Sequence, residues 1–268
     1  MNPGILLIVV AARDEADRIA STLAALALAF PGAPTWVADD GSTDATPELA
    51  REAGATVVRS ERVIGKGQAM TAGVRVALAS IDFLDGRARV RACVRIDGDL
   101  DDSALSPPVE PASESIVLLC DGDLGDCAHE LRALVDALRS EDDVGLAVAS
   151  FTTRVGGGFG LALAFARWAI RRRCGLSTRA PISGQRAIRV GVLPDILPFA
   201  SGFGMEIGIT IDTVRAGHRV VEVDLPLAHR ATGRTPAGFI HRARQLIDFM
   251  RAYLSRGRAS THKITYKL

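Results

Sequence analysis

The sequence predicts an α/β fold with a mostly parallel sheet covered by helices on both faces. Three observations lead there. Short apolar runs alternate with longer helix-like segments through the first half. Several of these runs stop abruptly at acidic and turn-forming residues, the pattern of buried strands that present ligand groups at their carboxyl ends. The chain has 268 residues and 48% hydrophobic content, enough to bury a core in one large α/β domain or two small ones.

Residues 5–10 are apolar and short and read as the first strand. No basic segment precedes them, so a signal peptide is not expected. Residues 15–30, rich in Ala and Leu, read as a helix, 36–38 as a short strand, and 44–53 as a helix stopped by Gly54. Asp44 suits either a helix cap or a ligand. Residues 56–59 form a third strand and 66–80 a helix.

Residues 86–115 interrupt the alternation and read as a strand or hairpin plus an exposed loop. Their Asp97-Gly-Asp99-Leu100 fails as a calcium loop: Asp102 stands where Gly is needed and Pro108 where Glu is needed. Residues 116–120 are the next strand. Asp126 reads as the cap of a helix to about Arg139, with Leu131, Leu134, Val135 and Leu138 on one face. Residues 145–150 make a further strand. The second half holds a glycine-rich run at 155–158 and an apolar segment at 159–173 that ends in Arg171, Arg172 and Arg173. Helices follow at 205–216 and 237–253, with a strand at 219–225 between them.

Charge is balanced, 32 basic against 31 acidic residues, so bulk charge gives no reason to expect nucleic acid as a partner. Cys93, Cys120, Cys127 and Cys174 show neither a C-x-x-C pair nor metal-like spacing and read as reduced thiols of a cytoplasmic protein. No window holds about 20 uninterrupted apolar residues, so no spanning helix is expected. No heptad pattern sets an oligomeric state.

The chemistry concentrates in Asp121-Gly122-Asp123, which closes the apolar run at 116–120. Two carboxylates at a strand end repel and attract a hard divalent cation such as Mg²⁺, which bridges carboxylates to substrate phosphates. Other pieces fall in order around it. Ala12-Arg13-Asp14-Glu15 closes the first strand and Asp39-Asp40-Gly41-Ser42-Thr43-Asp44 the second. Gly65-Lys66-Gly67 opens a helix, Gly184-Gln185-Arg186 lies in a loop, Gly202-Phe203-Gly204-Met205-Glu206 opens another helix, and His229-Arg230 follows the last strand.

This order resembles the GT-A glycosyltransferases, family-2-like enzymes with a Rossmann-like sheet. The second half is similar to the glucosyl-3-phosphoglycerate synthases. The resemblance implies a domain over residues 1–256, with a nucleotide-sugar half at 1–126, a sugar and acceptor half at 127–256, and a basic tail at 257–268. It implies an enzyme that moves a sugar from a nucleotide-diphosphate sugar, UDP-linked by resemblance, with Mg²⁺ or Mn²⁺ as cofactor. Ala12, Glu15, Asp39, Asp40, Ser42, Lys66, Asp121 and Gly122 then line the nucleotide site. Asp123 and His229 hold the metal. Gly184, Gln185, Arg186, Gly204 and Arg230 belong to the sugar and acceptor side. Glu206 and Asp123 are the catalytic candidates.

The physical roles agree. Acceptors at strand ends suit ribose hydroxyls and a base N–H, and a lysine flanked by glycines at a helix start approaches a nucleotide unobstructed. A cation neutralises a leaving diphosphate. If the anomeric configuration inverts, a carboxylate base must reach the acceptor proton, and Glu206 is the candidate. If it is retained, no such base is needed.

Two departures from the family pattern matter. Ala11-Ala12-Arg13-Asp14-Glu15 stands where the family has Pro-Ala-x-Asn-Glu. Phe159 follows the glycine run where the synthases carry an arginine for the acceptor phosphate, and an apolar residue cannot pair a phosphate. This leaves the acceptor unknown and room for a lipid-linked one, with glucosyl-3-phosphoglycerate synthesis as the alternative. Arg167, Arg171, Arg172 and Arg173 beside Phe159, Leu161, Leu163, Phe165 and Trp168 admit a peripheral membrane contact. Competing classes are a sugar-phosphate nucleotidyltransferase, a nicotinamide dehydrogenase, for which the first strand lacks G-x-G-x-x-G, and a non-catalytic nucleotide-sugar-binding protein.

Overall fold

The computed structural model describes residues 4–84, 87–90, 114–151, 160–226 and 236–256. In chain order these form β1 (Leu6–Ala12), α1 (Ile19–Ala29), β2 (Thr35–Asp39), α2 (Thr46–Glu52), β3 (Thr56–Arg59), α3 (Lys66–Ala79), β4 (Ile81–Leu84) and β5 (Arg87–Val90). There follow β6 (Ile116–Asp121), α4 (Arg132–Ser140), β7 (Val144–Phe151), α5 (Leu161–Cys174), β8 (Arg186–Arg189), α6 (Leu193–Ile196), α7 (Met205–Arg215), β9 (Arg219–Leu225) and α8 (Pro236–Ser255). The main sheet runs β3-β2-β1-β6-β8-β7-β9. It is parallel except at β8, which is antiparallel to both β6 and β7. β4 and β5 form a separate hairpin.

Side chains alternate across the strands, so one sequence feeds two cores. Ile8, Val10 and Leu118 pack with Leu23, Leu26, Leu131, Leu134 and Leu138 from α1 and the α4 region. Leu7, Val9 and Leu119 pack on the other face with Met70, Val74, Met205 and Ile209 from α3 and α7. Each fully buried Leu contributes roughly 1.5–3 kcal/mol. Gly73 lets α3 lie close to the sheet: a Cβ there would stand 2.9 Å from Val9 Cγ1 and 3.0 Å from Ala38 Cβ. The helix α7 is buried on nearly all sides, its polar Glu206, Thr210 and Thr213 included, because a second layer covers it. Its Ile207 and Ile211 face Ile170 of α5 and Phe249 of α8. No helix among the described residues is long and apolar enough to cross a membrane.

The structure departs from the sequence reading in four places. The helix expected from Asp126 is a 3-10 segment, Gly125–Leu131, followed by α4, and Asp126 does not cap it. The cause is Thr22, whose Oγ1 donates to the Gly122 carbonyl and accepts from the Gly125 N–H, each at 2.8 Å, tying this turn to α1. The first helix starts at Ile19 instead of near Glu15, because Asp14 takes a φ of +54° and a turn follows it. The hairpin starts at Ile81, before the expected break at residue 86. The sequence reading also lacks β8, a four-residue central strand bounded by two arginines. The acidic loop at Asp97 to Asp102, the glycine run at 156–158 and Phe159 lie outside the described residues.

Candidate active site

The carboxyl ends of β1, β2 and β6 lie side by side: Ala12 is in register with Asp39, and Ala11 with Asp121. The first group of polar residues gathers at β2. Asp39 is fully buried, and its Oδ1 accepts from the Ser42 N–H at 3.0 Å and from the Ser42 hydroxyl. Its Oδ2 makes no hydrogen bond, although Arg59 Nε stands 3.3 Å away. The Arg59 guanidinium donates to the Ser42 carbonyl at 2.9 Å. Asp40 holds the next loop: its carboxylate accepts the N–H groups of Ile64 at 2.7 Å and Gly65 at 2.9 Å, while its own N–H donates to the Ala12 carbonyl. Gly65, at φ +97°, then delivers Lys66 into the first turn of α3.

The second group centres on Lys66. Its ammonium donates to Asp121 Oδ1 at 2.7 Å and to Glu206 Oε1 at 2.8 Å. Burial alone would lower the Lys66 pKa. The charges of Asp121 and Glu206, with their hydrogen bonds, more than reverse this and push it above the ordinary lysine value. Gln185 Nε2 donates to the other Asp121 oxygen at 2.9 Å, and the Ser183 hydroxyl donates to Gln185 Oε1 at 3.2 Å. Gly184 lies against this cluster. A Cβ there would stand 2.8 Å from Lys66 Nζ and would collide with Asp121 Oδ2. Strand β6, helices α3 and α7, and the loop before β8 thus meet at one cation.

Other predicted residues are placed differently. Glu15 gives its N–H to Thr46 Oγ1 at 2.8 Å, and its carbonyl closes the turn before α1. The Gly122 backbone is bonded to Ala11 and Thr22. Asp44 builds a turn, taking the N–H groups of Thr46 at 3.0 Å and Ala16 at 3.1 Å. Asp123 stands at the end of β6, partly exposed, and its carbonyl lies 3.5 Å from Arg18 Nη1.

Arg186 does not join the cluster. It is fully buried, and its guanidinium donates to the Ser183 carbonyl, Thr210 Oγ1 and the Pro181 carbonyl at 2.8, 2.9 and 3.4 Å. Burial lowers its pKa to about 10, against the pull of Glu206 and Glu222. It braces the loop and α7. Gly204 also serves packing: a Cβ would lie 2.8 Å from Ala252 Cβ of α8. His229 and Arg230 lie outside the described residues. The sequence reading passed over Arg59 and Ser183. Arg59 could have been found, because it ends the strand that neighbours Asp39.

Comparison with known proteins gives the same fold. The family model described as Glycosyl transferase family 2 matches residues 7–81. Solved structures of glucosyl-3-phosphoglycerate synthase from Mycobacterium tuberculosis match nearly the whole chain. The complex with Mn²⁺, uridine diphosphate and phosphoglyceric acid is 25% identical with a TM-score of 0.66, over 96% of this chain and 80% of that one. The complex with Mn²⁺, uridine-diphosphate-glucose and glycerol 3-phosphate is 26% identical with a TM-score of 0.65, over 94% and 80%. The fold is that of the GT-A glycosyltransferases, and with the family-2 match at residues 7–81 it supports a glycosyltransferase. The complex with Mg²⁺ and uridine diphosphate is similar to the same degree, 26% identical with a TM-score of 0.65, over 94% and 79%. No curated protein sequence gives a match.

For a glycosyltransferase of this type, the implied metal can be tested against the donors present. Among the described residues no three His, Cys, Asp or Glu side chains converge on one point. Mg²⁺ and Mn²⁺ need no such cage, since one or two carboxylates, substrate phosphates and water suffice. A partly exposed carboxylate at the end of β6 is the right kind of donor.

Proposed function

We propose that the protein transfers a sugar from a UDP-linked donor to an acceptor hydroxyl, with Mg²⁺ or Mn²⁺ bound beside Asp123. The observation that carries this reading is the Lys66 ammonium held between Asp121 and Glu206, where α3, β6 and α7 meet. It holds the two carboxylates in place beside where a diphosphate would leave, and the bound cation supplies the surplus positive charge. The buried, unbonded Oδ2 of Asp39 supports a base N–H as its missing partner. Asp121 is committed to Lys66 and Gln185, so the metal role falls to Asp123, with His229 as the second candidate. The bound ion would neutralise charge on the leaving diphosphate. Glu206 starts α7, where the helix dipole favours a carboxylate. It is the group placed to orient the sugar or take the acceptor proton.

The acceptor side is the open part of the reading. Related synthases are seen with phosphoglyceric acid or glycerol 3-phosphate. Here Phe159 in place of the phosphate-pairing arginine favours a less anionic acceptor, a lipid-linked one included, over 3-phosphoglycerate.

A thermal-shift panel of nucleoside diphosphates and their sugars, with and without Mn²⁺, tests the donor. A metal-dependent rise with one UDP-sugar is expected. A rise with nucleoside triphosphates or NAD alone overturns the reading. With the donor known, Asp123→Ala should keep the fold and lose turnover by roughly a thousandfold, as several kcal/mol of charge stabilisation would require. Full activity in that variant removes Asp123 from the site.

A further inference from the structure

Six large apolar side chains are exposed among the described residues, and four of them lie on two neighbouring helices. Trp168 of α5 is 49% exposed, and Ile247, Met250 and Leu254 of α8 are 42%, 40% and 71% exposed. The α8 residues fall at i, i+3 and i+7 and share one stripe. Phe249 and Ala252 of the same helix point inward. Trp168 carries the stripe across to α5, its ring centroid 5.0 Å from that of Tyr253 in α8.

The charge on these helices is one-sided. The α5 sequence has Arg167, Arg171, Arg172 and Arg173 and no acid. The α8 sequence has Arg242, Arg244 and Arg251 against one acid, Asp248. In a chain of net charge +1 this is a local concentration. Asp248 adds little outward charge, because its side chain is only 18% exposed and accepts the Phe203 N–H at 3.2 Å. Arg173 is also used internally, donating to the Tyr253 carbonyl at 2.6 Å with its guanidinium carbon 3.8 Å from the centre of the Tyr253 ring. Arg171 and Arg172 stay exposed beside Trp168. A second copy docked face to face would set these arginines against each other with no exposed carboxylate between them. An anionic lipid surface satisfies the apolar stripe and the arginines together.

We propose that the α5–α8 face docks the protein peripherally on an anionic lipid bilayer. Trp168, Ile247, Met250 and Leu254 enter the headgroup boundary, and Arg171 and Arg172 pair with lipid phosphates. The face adjoins the acceptor side through α8, since Asp248 and Ala252 pack against the Gly202–Gly204 turn that leads into Glu206. The proposal goes beyond sugar transfer, and its test needs no turnover.

Vesicles of phosphatidylglycerol mixed with phosphatidylcholine are compared with pure phosphatidylcholine, by co-sedimentation and by tryptophan fluorescence. The chain has two tryptophans, and Trp36 is fully buried, so a spectral change reports Trp168. The expected result is sedimentation with the anionic vesicles at low salt, loss of it at high salt, and a blue shift of the emission. Arg171→Glu with Arg172→Glu should weaken binding at least roughly tenfold, each charge being worth about fivefold. Leu254→Ser with Met250→Ser should weaken it as well. No sedimentation at low salt overturns the proposal, and so does sedimentation without a blue shift. A concentration-dependent dimer that Leu254→Ser abolishes, with no lipid binding, assigns the face to a second copy instead.

Discussion

Around Asp39 and Asp40 the site is held by hydrogen bonds from carboxylates to backbone N–H groups. Around Glu206 it is held by close packing between distant segments. In the first region Asp14, Asp39, Asp40 and Asp44 each accept at least one backbone N–H. In the second, Gly67 of α3 lies against the Ala200 carbonyl, Gly204 against Ala252, and the Phe199 N–H reaches Thr71 Oγ1 at 3.0 Å. Turn chemistry demands particular residue types at particular offsets, whereas packing accepts many combinations of similar volume. The family model accordingly stops at residue 81, while structural likeness extends over at least 94% of the chain. A signature of this kind marks where backbone geometry is exacting, and only some of its members need touch a ligand.

Lys66 joins the two regions, so its removal gives the largest expected loss of stability. In Lys66→Met, Asp121 and Glu206 lose the cation between them. Breaking a largely buried pair in this way costs about 3–5 kcal/mol. Urea denaturation should show that fall, and thermal shift by a nucleotide sugar should be lost as well. A variant as stable as the wild type would mean that the two regions are not coupled through this ammonium.

Asp40→Ala tests the turn-building reading of the first region. It leaves the Ile64 and Gly65 N–H groups without their acceptor, at about 1–3 kcal/mol for a stranded buried donor. Both precede Lys66, so donor binding should weaken together with stability. Asp39→Asn keeps an acceptor for Ser42 but gives up the charge beside Arg59, so it should cost less stability than Asp40→Ala and more nucleotide binding. Equal stability losses in the two would erase the distinction. That distinction also sets what the sequence could disclose. The strand ends at Asp39 and Asp121 were legible because an apolar run stops there. Lys66 was legible from its flanking glycines, but its salt bridges were not, because Glu206 is 140 positions away. Arg186 looked like a ligand because it follows Gly184-Gln185. Only the packing of α7 shows that Thr210 and two carbonyls take its donors.

The second region also has carboxylates that work as those of the first do: Asp248, which accepts the Phe203 N–H, and Glu222. Glu222 of β9 accepts the N–H groups of Arg179 and Ala180, each at 2.9 Å, and the Thr178 hydroxyl. These fix the loop that carries Gly184 and Gln185. Burial pushes the Glu222 pKa up, but the hydrogen bonds from Thr178, Ala180 and Arg179 outweigh this, so it lies below the ordinary 4.5. The folded state therefore favours the charged form. Its contribution is fully present above pH 4.5 and is lost as the pH falls through the lower folded value. Glu222→Gln should cost about 1.5–3 kcal/mol at neutral pH and progressively less in acid. Urea melts across that range check it. A deficit that does not shrink in acid would assign the effect to lost shape instead of lost charge.

The smallest expected effect bears most directly on why the first region is legible. Asp14 adopts φ +54°, a conformation that Asn and Asp tolerate and β-branched residues do not. Its Oδ1 accepts from the Thr43 N–H at 2.8 Å and the Thr43 hydroxyl at 3.1 Å, and its own N–H donates to Ser42 Oγ at 3.0 Å. An amide oxygen can make the same bonds. Asp14→Asn should therefore change stability by less than about 0.5 kcal/mol and leave donor binding unchanged. Asp14→Val should lose both acceptors and strain the backbone. If Asp14→Asn instead abolished donor binding while the fold persisted, the negative charge itself would matter. The exposed Arg13, whose Nε is 3.8 Å from the Asp14 carboxylate, would then be the first group to examine, because its orientation depends on that charge.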